Sequence, residues 1–198
     1  GLMIAGEAAL SNWDAGMDMY IYGKLGNLTM TKEGINVLMT NLTGKVPPIL
    51  QRLDYIRFNG EAAGYLHDLT LTGLFHTGAG MVKTDVMMSI DEQSMSRTYS
   101  GSVASADLDL GKLLNQEKKF GKVDFNVELK GFNYKNRYPE SYIKGIISSF
   151  EYSQYQYENI MLDGVYKDGG FNGRLSMDDA NGSVQIDGKF NVVKTIPD

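Results

Sequence analysis

Val123-Asp124-Phe125-Asn126-Val127-Glu128-Leu129-Lys130 is the stretch that decides the fold. Its odd positions are apolar and its even positions polar, four times without a break. An extended chain points successive side chains to opposite faces, so this octapeptide reads as a β-strand with one dry face and one wet face. The pattern recurs on either side of it. Val82, Thr84, Val86, Met88 and Ile90 form one such face, Met17, Met19 and Ile21 another, and Phe171, Leu175 and Met177 a third. Val184 and Ile186 point away from Gln185 and Asp187. These alternations define an all-β chain.

Glycine is in excess: 23 residues of 198, against 4 prolines. A short motif, apolar-polar-Gly, accounts for much of it. It occurs at Phe58-Asn59-Gly60, Leu71-Thr72-Gly73, Tyr99-Ser100-Gly101, Leu129-Lys130-Gly131, Leu162-Asp163-Gly164, Phe171-Asn172-Gly173 and Ile186-Asp187-Gly188. Glycine lets a strand turn, bulge or be crossed closely, so these positions read as punctuation between strands. Asp168-Gly169 and Asn181-Gly182 are hairpin signals. The irregular motif spacing argues against a fixed-period solenoid and for a meander. Roughly a dozen strands of about 5–6 residues are expected. Pro47-Pro48-Ile49-Leu50-Gln51-Arg52-Leu53-Asp54 suits a short helix with proline in its first turn. Asp109 to Asn115 suits a helical turn or a compact loop, with Gly111 working against anything longer. A soft boundary falls near residues 45–57 within one β-rich unit spanning 1–198.

Composition narrows the function classes. Hydrophobic residues make up 42% and charged residues 22%, which supports a packed core or an apolar surface rather than disorder. The net charge is −5, and the one adjacent basic pair, Lys118-Lys119, follows Glu117. Phosphate binding through counterion release requires clustered Lys and Arg, so nucleic acid is not the expected partner. The absence of cysteine excludes disulfides, thiolate metal sites and cysteine nucleophiles. Apolar runs reach four or five residues, far short of the ~20 that span a bilayer as a helix. The chain opens on Gly1, and Phe190-Asn191-Val192 still alternates near its end, so it reads as a piece of a longer protein.

Motifs for chemistry fail one by one. Gly-Lys occurs five times, followed by Leu25, Val46, Leu113, Val123 or Phe190, where a phosphate loop needs Ser or Thr. Gly78-Ala79-Gly80 starts like a dinucleotide motif, but residue 83 is Lys and a strand pattern follows. Asp178-Asp179-Ala180-Asn181-Gly182 resembles part of a calcium loop. With Gly182 at the turn position, however, the first and last ligands fall on Met177 and Gly188, so a hairpin turn is the better reading. His67 and His76 have no Ser, Asp or ligand partners at a recognisable spacing and read as surface or turn residues. Phe150, Tyr152, Tyr155 and Tyr157 fit a half-buried pleated surface better than a stacking platform. The expectation is a non-enzymatic protein without cofactor or metal.

A family resemblance completes the reading. The glycine-containing strand at 101–107, followed by LDLGKLL at 108–114, resembles the TamB/AsmA-like proteins of bacterial envelopes. So do GKVDFNVELKG at 121–131, ISSFEYSQYQYENIMLDGVYKDGGFNGRLSMDD at 147–179, GSVQIDGKF at 182–190 and IRFNGEAAGYLHDLTLTG at 56–73. The likeness covers about residues 56–192 and does not place residues 1–55. It implies a long, mainly antiparallel sheet curled into a trough with an apolar inside, to which the residues at 47–54 and 109–115 add one or two short helices. It further implies a periplasmic location, a membrane anchor elsewhere in the full protein, phospholipid or another acyl-chain ligand as cargo between inner and outer membrane, and an outer-membrane β-barrel protein as a partner. In that reading Val123, Phe125, Val127 and Leu129 line the groove, with Ile160, Leu162, Val184 and Ile186 on neighbouring strands. The alternation alone also fits a closed β-sandwich serving as a structural or ligand-binding module, its two apolar faces packed together.

Overall fold

The chain forms one antiparallel sheet of eleven strands, each paired with its sequence neighbours in the order β1 to β11. The computed structural model describes residues 2–12, 16–91, 93–94, 96–134 and 140–191. The strands are β1 (Leu2–Ser11), β2 (Tyr20–Thr31), β3 (Tyr55–Tyr65), β4 (Asp68–Thr77), β5 (Gly80–Asp91), β6 (Ser96–Asp109), β7 (Phe120–Tyr134), β8 (Glu140–Tyr152), β9 (Tyr155–Lys167), β10 (Gly170–Asp179) and β11 (Gly182–Asn191). Three helices interrupt the meander: α1 (Lys32–Thr43), α2 (Pro48–Gln51) and α3 (Leu110–Leu114). The sheet is open, with β1 and β11 as its edges. A two-sheet sandwich, which the alternation left possible, is not what the described residues build.

The strands run 10 to 15 residues, about twice the expected length. The reason lies in the glycines, which sit inside strands rather than between them. Gly60 is opposite Gly73, and Gly173 is opposite both Gly164 and Gly188. A β-carbon on Gly73 would lie 2.6 Å from the Phe58 ring, and one on Gly164 would lie 2.7 Å from the Phe171 ring. The missing side chains therefore make room for aromatic rings laid across the ladder, and the strand continues beneath them. Turns fall elsewhere. Asp168 (φ 52°) and Gly169 (φ 77°) make the β9–β10 turn as that dipeptide indicated, and the β10–β11 turn falls on Ala180-Asn181, one residue before the Asn181-Gly182 signal, with Gly182 opening β11. Met17 does not extend a strand face, because Gly16–Asp18 form a turn of 3-10 helix ahead of β2.

Helix α1 adds one helix to the expected pair. Ile35, Leu38 and Met39 give it an apolar stripe at i, i+3, i+4, and Gly44 ends it in the left-handed conformation (φ 73°). The core lies where the helices meet the sheet. Ile35, Leu53 and Leu113 pack on Met30, Ile56, Ala79, Leu108 and Val123. Ile35 is 1% exposed. Lys112 Nζ donates to Asp54 Oδ2 at 2.8 Å and to the Gly78 carbonyl at 3.2 Å, and the Arg52 guanidinium donates to the Leu113 carbonyl. These contacts tie α2 and α3 over one end of the strands. The accessible surface is 13012 Å², against roughly 9300 Å² for a compact monomer of this mass. A single-layer sheet with a helical cap at one end accounts for the excess.

Candidate functional site

Strand register settles which residues share a face. On β7, Val127 lies opposite Val103 and Gly145, and Phe125 opposite Ser105 and Ile147. Gly145 lies opposite Leu162, and Ile147 opposite Ile160. Leu162 faces Leu175, which in turn faces Ile186, and Met177 faces Val184. All eight residues expected to line a groove therefore fall on one side of the sheet. Their environments differ. Val123 belongs to the core under the helices. Val127 and Ile160 are 9% exposed. Val184 and Ile186, on the edge strand, are 44% and 41% exposed.

The same face carries residues the sequence reading did not assign to the lining. The Phe58 and Phe75 rings meet at a tilt, 4.6 Å between centres, and Val86, Val103, Ile143 and Leu175 extend the face across the sheet. The signal for Val86 and Leu175 was present as alternation. Ile143 was obscured by the break in period at Ile146-Ile147. The burial contrast tells inside from outside. Val127 and Ile160 are screened although no second layer covers them, whereas Met161, next to Ile160, is 56% exposed. The apolar side is therefore the better screened of the two at this point of the sheet.

The opposite face carries exposed ion pairs beside exposed apolar side chains, among them Met87, Phe132, Ile146 and Met161. Lys144 lies 3.8 Å from Asp163, and Arg174 lies 3.5 Å from Asp187. Such pairs contribute little to stability and keep this side in water. The Tyr142 hydroxyl donates to Asp163 at 2.7 Å, and that bond raises the tyrosine pKa above its ordinary value. Shallow depressions of about 510 and 540 Å³ open on this face over Ser100, between the taller Met87, Lys130 and Tyr142. They follow from side-chain size along β6 and not from any gathering of catalytic groups.

Chemistry-bearing residues are dispersed. His67 stands in the β3–β4 turn, its ring stacked on Tyr65 and its Nδ1 2.9 Å from the Met17 carbonyl. His76 lies on β4, opposite Arg57 and Met81. Asp179, from the calcium-like stretch, is engaged by its own hairpin: it accepts from the Asn181 backbone N–H at 2.8 Å and from the Tyr155 hydroxyl at 3.0 Å. Among the described residues no three His, Asp or Glu side chains gather as a metal site would require. What the arrangement presents is an apolar surface that runs across the strands. No family model, curated protein or solved structure matches the chain.

Proposed function

We propose that this chain walls a hydrophobic groove that shields the acyl chains of phospholipids in transit between the inner and outer membranes, as part of a TamB/AsmA-like protein of the bacterial periplasm. It acts by binding and not by catalysis. One observation carries the reading: apolar side chains of an eleven-stranded open sheet share one side from β3 to β11, and among the described residues no layer covers them away from the helices. A soluble monomer rarely exposes a contiguous apolar patch beyond a few hundred Å² unless something binds there. An acyl chain suits such a surface because it asks for area and no hydrogen bonds. The resemblance supplies the envelope setting and an outer-membrane β-barrel protein as partner.

The test is lipid extraction and mass spectrometry of the purified chain after incubation with phosphatidylethanolamine–phosphatidylglycerol vesicles. Wild-type protein should retain diacyl lipid. Leu129→Asp, which places a charge on the inner face, should lose it while keeping a β-rich circular dichroism spectrum. A wild-type chain that emerges free of lipid contradicts the proposal.

A further inference from the structure

The apolar face is not apolar to both of its ends. Toward the helices it closes on Leu108, Leu113 and Val123. Toward the other strand ends polar side chains enter it between β6 and β9, flanked by Met88 on β5 and Phe171 on β10. Tyr99 lies opposite Gly131, Gly131 opposite Ser141, and Ser141 opposite Tyr166. The Tyr99 ring lies over Gly131, and its hydroxyl hydrogen-bonds to that of Ser141. Ser141 is 8% exposed, a polar side chain set into the inner surface. One step further out, Arg97 lies opposite Ile90 and Asn133. Arg97 is exposed and has no acidic partner among the described residues. It is the one cation that register places on the apolar side of the described strands.

We infer that this rim is a headgroup site, at which Arg97 holds the phosphate of a diacyl glycerophospholipid and the Tyr99, Ser141 and Tyr166 hydroxyls meet its ester region. The inference rests on the groove reading and adds a direction to it: tails toward the helices, phosphate toward the free strand ends. The guanidinium fork matches two phosphate oxygens at once, which a lysine does not. The hydroxyls can donate to ester carbonyls, which offer acceptors and no donors. The dimensions agree as well. From Leu129, next to the hydroxyl row, to Phe125, at the margin of the helix-covered core, is four residue steps, about 14 Å. One leaflet of a bilayer has an acyl layer of about 15 Å.

The experiment offers the chain vesicles of equal parts dioleoylphosphatidylglycerol, dioleoylphosphatidylethanolamine and dioleoylglycerol, and reads the bound species by mass spectrometry. The three lipids share their tails, so the ratio reports the headgroup alone. Wild type should favour the two phospholipids over dioleoylglycerol by about tenfold. Arg97→Gln should bring the ratio close to that of the vesicles without lowering total bound lipid, and Arg97→Lys should restore part of it. Lys130→Gln, on the opposite face, should leave it unchanged. A wild-type ratio preserved in Arg97→Gln overturns the headgroup site, and with total loading intact the groove reading stands. A wild type that binds none of the three overturns both.

Discussion

At the residue scale, alternation and glycine carry different information. Alternation from Val123 to Lys130 was legible because a one-residue slip would put Val123, Phe125, Val127 and Leu129 in water together, and register forbids it. The glycines were legible as special but not as what they are, since a glycine that admits a ring from a neighbouring strand looks the same in sequence as one that makes a turn. Gly101 shows the difference. It has φ 140°, and an added methyl group would collide with the Asp85 carbonyl on β5. Gly101→Ala is expected to destabilise the fold by about 1–3 kcal/mol through strain and displaced ladder bonds. Gly26 has no positive φ, and a β-carbon there would sit 3.7 Å from the Ala5 carbonyl, an ordinary contact. Gly26→Ala should stay within about 0.5 kcal/mol of wild type. Urea unfolding of the two variants checks the pair.

At the element scale, the helices explain where the core is. Helix α1 escaped the sequence reading because Gly34, Val37, Thr40 and the β-branched Ile35 are poor helix formers. Tertiary packing overrides that preference by burying Ile35 almost completely. Ile35→Ala should therefore cost about 2–5 kcal/mol, measured by urea unfolding, because the cap leaves it no room to relax. Helix α2 was foreseen from its prolines and α3 as one of two readings of Asp109 to Asn115, but their joining was not, since Asp54 and Lys112 lie far apart in sequence. The hydrogen bond from Lys112 holds the Asp54 carboxyl below its ordinary pKa, and the same bond raises the lysine. The sign follows: the contribution of the pair is complete above about pH 4 and is lost as pH falls through the depressed value. On the alkaline side it is lost as pH rises past the ordinary lysine range. Urea midpoints of wild type should exceed those of Asp54→Asn by a small margin at pH 7, and the two should converge in acid. A constant offset down to pH 2 would assign the effect to packing instead.

At the scale of the whole molecule, one open sheet carries its ion pairs on one side and its unbroken apolar rows on the other. Its all-β class and meander order were readable from the strand patterns and hairpin signals. Its openness was not, because a dry face in sequence does not say whether protein or lipid covers it. Among the described residues no second sheet covers that face, and this is why a binding groove is proposed over a packed core. Leu129 and Glu128 are neighbours in β7 that register sends to opposite sides. The direct measurement places a photo-crosslinking residue at each position in turn, in lipid-replete bacterial cells, and scores lipid adducts by mass spectrometry. Adducts at 129 and none at 128 are the predicted result; equal labelling at both positions, or no lipid at 129, would contradict the account.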